Sequence, residues 1–245
     1  MDSLTHIALG ACVGEVLLGR RLGRKALLVG AVAQNLPDID GVAGLWLPMS
    51  ANLLAHRGIT HSLVVAPLAA IVLAGVVRRW RWARTVSLRY WFLFFAFQLG
   101  LHDLLDTANA YGTGLLEPFS HQRYSWYLLY VADPFFTIPL VVAALLLWLF
   151  FRQRHSKRIG ALVALVWAGG YLGYAAINKS RVDGPIRASL KAAGVPYTHY
   201  TTIPTPLNTW LWYIVAATGK GYYVGYRSVF ENPTRMTEFV YIPRS

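Results

Sequence analysis

The stretch LAHRGITHSLVV, residues 54–65, decides how the chain is read. His56, Arg57 and His61 stand at the mouth of an apolar run that continues to residue 77, so ionisable groups gather where a polar loop enters a hydrophobic helix. Such groups at a membrane boundary are costly and usually mark a site. Composition supplies the membrane: 56% of the 245 residues are hydrophobic and only 14% are charged, too apolar for an ordinary soluble domain.

Outward from that stretch, apolar runs at 4–19, 26–36, 59–77, 89–107, 133–151 and 159–178 predict six membrane helices, the first two short for a full crossing and read as a hairpin. The net charge of +12 is concentrated between them. Three links hold 13 of the 23 basic residues and no acid: Arg20, Arg21, Arg24 and Lys25; Arg78, Arg79, Arg81, Arg84 and Arg89; Arg152, Arg154, Lys157 and Arg158. That is the pattern of cytoplasmic links, and it lacks any nucleic-acid-binding frame, so nucleic acid is not an expected partner. With the links cytoplasmic, both termini and the loops 37–58 and 108–132 face outside an inner (plasma) membrane. His6, Asp38, Asp40, His56, His61, His102, Asp103 and Asp106 then all fall at outer helix ends, His102 about 20 Å from the cytoplasmic end at 1.5 Å per residue. The lone Cys12 excludes a disulfide framework and a cysteine zinc site. The start MDSLTHIALG lacks the basic region of a cleaved leader, so the first helix is expected to stay.

From about residue 180 the chain turns polar, with RVDGPIRASLKAAGVPYTHY. WLWYIVAATGKGYYVGYRSVF reads as two strands joined across Gly219, Lys220 and Gly221, and EFVYIPRS as another strand. The expected fold is therefore mainly α: a polytopic helical bundle over 1–179 and a small extracytoplasmic α+β domain over 180–245. A unit of that size is marginal alone and is expected to lean on the bundle or on lipid.

LHDLLD sets His102 and Asp106 at i and i+4 on one helix face, which suits a ligand pair and equally a hydrogen-bonded pair. Asp103 points to another face and is counted with Asp40 and Arg57 as a candidate catalytic group. Asp38 and Asp40 in PDID fit either ligands or ordinary turn chemistry. HRGITH offers His56, a turn at Gly58 and His61 near the next helix start. The convergence of N and O donors at one depth, with no thiolate, points to a divalent metal: zinc first, manganese or iron as alternatives.

DSLTH (2–6), NLPDID (35–40), HRGITHS (56–62) and LHDLLDTANAYGTGLLEPFS (101–120) together resemble the YdjM-type (DUF457) family of membrane-bound predicted metal-dependent hydrolases. The resemblance spans about residues 1–140. It implies a helical catalytic unit, distantly similar to zinc-dependent phospholipase C and P1 nuclease, holding two or more metal ions for phosphoester hydrolysis. On that likeness His6, Asp38, His56, His61, His102 and Asp106 match ligand positions, and Asp40 is a ligand or base.

Arg57 and Arg123 are the basic side chains of the outer loops in the membrane part. Either could grip a phosphate; Arg57 could instead pair with an aspartate, and Arg123 with a lipid headgroup. His121 is a candidate substrate contact or a surface histidine. Asp133, before Pro134, is an outer ligand or a helix cap, the cap being favoured. Tyr124, Trp126, Tyr127 and Tyr130 read as an interfacial belt. A site at headgroup depth points to membrane lipid as partner and to a lipid or lipid-linked phosphoester as substrate. The competing functions are a metal or proton transporter or sensor, and a structural or regulatory membrane protein. Transport would require polar groups through the helix interiors, and residues 64–77 and 134–151 hold none that ionise.

Overall fold

The computed structural model describes residues 1–46, 48, 56–150 and 154–244. Residues 47 and 49–55 of the expected outer loop, residue 151 and Arg152 lie outside the described residues. Asp2 starts α1 (Ser3–Leu22): its carboxylate accepts the Thr5 N–H at 3.0 Å, and Gly23, at φ 57°, ends the helix. α2 (Lys25–Asn35) returns against it. The two helices cross on glycine. A Cβ on Gly30 would stand 2.0 Å from the Gly10 carbonyl oxygen, and one on Gly14 would stand 2.2 Å from that of Ala26. Backbones so close require residues without side chains, the contact helices use where lipid is as apolar as they are.

The remaining helices are α3 (Ala66–Val77), α4 (Leu88–Asp106), α5 (Pro134–Leu149) and α6 (Arg154–Ala192). α1 is central, packed on α2, α5 and α6; α3 lies on α4, and α4 touches α2 and α1. The third helix starts seven residues later than the apolar run suggests. Ile59–His61 forms a 3-10 turn, the Ser62 carbonyl accepts from Val65 and Ala66, and Pro67 occupies the first turn, where its missing N–H costs nothing.

Among the described residues, the first basic link meets the second link and the end of α5 at one end of the bundle. The Arg21 guanidinium lies 4.8 Å from the Tyr90 ring centre, Arg24 5.9 Å from Trp148, and Lys25 Nζ 5.3 Å from Trp82. The starts of α1 and α5 and the ends of α2 and α4 consequently share the opposite end. Six α-helices form among the described residues, and one, within 155–192, is both long and apolar enough to cross a membrane. α3 has 12 residues and α5 has 16, short of the roughly 20 of a crossing, although Leu68, Ile71, Val72, Ile138, Val142 and Leu145 lie exposed on them.

The expected division at 179/180 falls inside α6, which runs 39 residues without a break, Pro185 included. The reason is a second apolar face. Val182, Ile186 and Leu190, each four residues apart, are buried against Val195, Trp212, Ile214 and Ala216. The covering sheet is an antiparallel meander, β1 (His199–Pro204), β2 (Leu211–Ala217), β3 (Gly221–Ser228) and β4 (Val240–Pro243) in that order. β2, β3 and β4 were expected; β1, in HYTTIP, was not. Opposed tyrosines tie the strands, Tyr213 to Tyr226 and Tyr223 to Tyr241, each pair with ring centres 5.1 Å apart. Trp210 of this unit packs 5.0 Å from Phe135 and donates to the Tyr174 hydroxyl, which holds the sheet at the site end of the bundle.

Candidate metal centre

Three segments deliver four donors. α4 contributes His102 and Asp106, the 3-10 turn that continues α2 (Pro37–Leu45) contributes Asp38, and the turn before α3 contributes His61. One ligand atom from each of these four lies within 4.8 Å of all the others. His61 Nε2 is 3.4 Å from Asp38 Oδ1 and 3.5 Å from Asp106 Oδ2; His102 Nε2 is 3.7 and 4.0 Å from the same two oxygens. Ligands about 2.0–2.1 Å from a tetrahedral ion stand roughly 3.4 Å apart. Four of the group's six separations, 3.4–4.0 Å, are therefore close to the spacing of ligands on one ion.

The donor chemistry also fits a metal. His61 Nε2 and His102 Nε2 are fully buried without a hydrogen bond among the described residues, an arrangement that suits a bound ligand. His102 Nδ1 lies 2.6 Å from the Gln34 backbone carbonyl, which fixes its proton there and leaves Nε2 as a lone pair. Two carboxylates and two neutral imidazoles could bind a divalent ion.

His6 belongs to the same nest without joining the four. Its ring stacks on His102 with centres 3.8 Å apart, and its Nε2 is 3.1 Å from Asp106 Oδ1, which the Met1 amino group also contacts. Asp40 and His56 form a second layer. Asp40 Oδ1 is 2.7 Å from His56 Nδ1, while Oδ2 accepts from the Thr60 hydroxyl and, at 3.1 Å, from the Arg57 N–H, with His61 Nδ1 at 3.3 Å. Burial opposes ionisation at Asp40, but the contacts from His56, His61 and Thr60 outweigh it and hold the carboxyl well below the usual carboxylate range. Asp38 is lowered in the same way, burial being overcome chiefly by its contact with His61. His61 moves up: burial lowers it, and its contacts with Asp38 and Asp40 win.

Arg57 adopts φ 62°, a left-handed conformation uncommon for a residue with a side chain. Asp40 holds its N–H, and its carbonyl accepts from Gly114 at 3.0 Å. The strained backbone aims the guanidinium inward, Nε 3.2 Å from Asp106 Oδ2 and Nη1 2.7 Å from Asn109 Oδ1. Burial draws its basicity down, but it stays a cation. With Arg123, His56 and Tyr111 it lines a cavity of about 460 Å³ beside the centre. Arg123 is held there by a 3.0 Å hydrogen bond to the His56 carbonyl.

The other candidates lie elsewhere. Asp103 is buried with neither oxygen hydrogen-bonded among the described residues; it is outside the group of four, though its charge acts on His61. His121 is 86% exposed, paired with Glu117 at 2.9 Å, and is not among the residues lining the cavity. Asp133 caps α5, accepting from Phe135 and Phe136 and from the Tyr171 hydroxyl. Sequence reasoning missed Gln34, Asn109 and Tyr111. Gln34 stands just before NLPDID and Asn109 inside LHDLLDTANAYGTG, but Gln34 acts through its backbone, which composition does not report.

Fold and centre together define a mainly helical protein with a largely buried His/Asp cluster at one end of its bundle. The chain belongs to the YdjM inner membrane protein family, whose profile matches residues 1–182, ending inside α6. It is 33% identical over 156 residues to inner membrane protein YbcI of Escherichia coli (strain K12), covering 59% of this chain and 88% of that protein. It is 28% identical over 155 residues to uncharacterized protein YfhP of Bacillus subtilis (strain 168), covering 60% of this chain and 46% of that one. No solved structure matches the chain.

Proposed function

We propose that the chain is a metal-dependent hydrolase of the inner membrane that cleaves a phosphoester in a lipid or lipid-linked substrate. The observation that carries this is the set of four donors, the buried His61, His102 and Asp106 with the partly exposed Asp38, opening beside a cavity with two arginines. The resemblance of the motifs to the YdjM-type family, which implies a distant similarity to zinc-dependent phospholipase C and P1 nuclease, points to the same chemistry. When bound, a divalent ion supplies Lewis-acid polarisation of the phosphoryl group and a water acidic enough to ionise near neutral pH.

The chain's own residues do the rest. Arg57 and Arg123 neutralise charge on the phosphoryl oxygens, Arg57 with its position fixed by Asp106 and Asn109. Asp40, a ligand or base on the resemblance, also orients: it fixes His56 through Nδ1, which leaves the other ring nitrogen to hold or pass a proton at the cavity. A second ion, if the centre is multinuclear, draws on His6 or on the Asp40 and His56 layer. Zinc suits the mixed N and O donors best.

The charge pattern supports crossings by all six helices with basic links cytoplasmic, so that the centre and the C-terminal sheet face outward. On this reading the short α3 and α5 sit where the bundle and flanking turns complete the span. The first measurement is elemental analysis of detergent-purified wild type beside His61→Ala and His102→Ala. Bound zinc lost in both variants, with lipid phosphoester hydrolysis by wild type alone, is expected. Metal retained by both folded variants, or cleavage only of soluble esters or amides, overturns the proposal.

A further inference from the structure

We propose that the groove between α1, α2 and the 3-10 turn Pro37–Leu45 receives the hydrocarbon chain of the phosphoester substrate, with the esterified head at Asp38; this deepens the hydrolase reading and rests on it. The groove holds about 550 Å³, the size of a small-molecule site. Val32, Ile39 and Val42 are among its walls, and Val32 is 62% and Ile39 64% exposed, so it can be entered from the side. Its polar groups come from Ser3, Asn35 and Asp38. Ser3 Oγ donates to Asp38 Oδ2 at 3.3 Å, and Asn35 Oδ1 is buried without a hydrogen bond among the described residues.

Asp38 is therefore common property. One of its oxygens faces Ser3 in the groove, and the other stands 3.4 Å from His61 Nε2 in the metal centre. The centre's other neighbour is the cationic cavity of Arg57 and Arg123, joined to it through the Arg57 and Asp106 pair. A metal group flanked by an apolar groove and by two guanidiniums matches an amphiphile: chain on one approach, anionic phosphate between, polar remainder on the other. A soluble phosphoester would leave the groove unused. In a chain of an inner membrane family, exposed valine and isoleucine walls find hydrocarbon at hand.

Alkyl phosphates of four, six and eight carbons, with inorganic phosphate as the chainless probe, test this on the zinc-loaded full chain by calorimetric titration. Affinity is expected to rise by up to about fourfold per added methylene. In Val32→Trp and Ile39→Trp, which fill the groove from exposed positions, that dependence should flatten while inorganic phosphate affinity and zinc content stay as in wild type. Equal affinity for all chain lengths, or tryptophan variants that keep the chain dependence, overturns the groove. Hydrolysis followed on the same compounds separates the two readings. Chain-dependent binding without cleavage removes the hydrolase and keeps the groove; cleavage without chain dependence does the reverse, and failure to bind any of the four probes removes both.

Discussion

The α1 and α2 crossing supplies the sharpest test of how the fold builds the centre, through Gly30→Ala. The added Cβ would meet the Gly10 carbonyl oxygen at 2.0 Å and the Gly14 Cα at 2.9 Å, both backbone atoms that cannot rotate away. The helices must part by about 1 Å to bring the shorter contact to 3.0 Å. Overpacking of this kind costs about 1–3 kcal/mol. The displacement is also passed on. One turn further along α2, the Gln34 carbonyl holds His102 Nδ1 at 2.6 Å, so shifting α2 against α4 loosens the bond that orients a ligand. Loss of such an outer partner lowers metal affinity by about 10–100-fold. Gly173→Ala in α6 is the control, since a Cβ there meets nothing within 4 Å and the substitution should be neutral or stabilising by up to about 1 kcal/mol. Zinc competition and thermal unfolding on both variants provide the readouts. Wild-type affinity and wild-type melting in Gly30→Ala would refute the argument that this crossing sets the ligand.

Four further outcomes follow from the same geometry. Because His61 is raised and must be neutral to ligate, zinc affinity should climb with pH through a midpoint above about 6.5, and a flat profile across neutral pH would exclude His61 as a ligand. In the metal-free protein the raised His61 adds stability below about 6.5 that is lost as pH rises through its folded value, while the lowered Asp38 and Asp40 add stability above about 3.9 that is lost as pH falls through theirs; chemical unfolding at several pH values should peak between. Ile186→Ala, removing a fully buried side chain from the face under the sheet, should destabilise the C-terminal unit by about 2–5 kcal/mol and expose its strands to protease while zinc content is unchanged. Arg57→Lys, which cannot keep both the Asp106 and Asn109 contacts, should reduce hydrolysis by about 100-fold with metal retained, and full activity in that variant would remove Arg57 from the phosphate site.

What was legible in the sequence depended on whether a residue acts through its type or through its place. His61, His102, Asp38 and Asp106 were found together because apolar run lengths and the charge rule put them at one depth, and a four-donor group forms there. His56 carried the same ligand signature, yet its Nδ1 is taken by Asp40, since Gly58 and the left-handed Arg57 turn the chain between it and His61. Spacing could not anticipate that, because the two histidines sit on a turn with no fixed period. The end of α6 failed differently: Val182, Ile186 and Leu190 keep helical spacing through RVDGPIRASL, but Gly184 and Pro185 read as a breaker. Propensity lost there to burial, because the sheet offers Trp212 and Ile214 a partner only if the helix continues. The strand in HYTTIP was missed for the same reason, its character arising from its neighbour: of its six residues only Thr202 and Pro204 are buried, and pairing with β2 makes it a strand. The metal centre therefore rests on two kinds of information, donor types written in the motifs and orientation supplied by backbone groups such as the Gln34 carbonyl, and only the first can be read before the chain is folded.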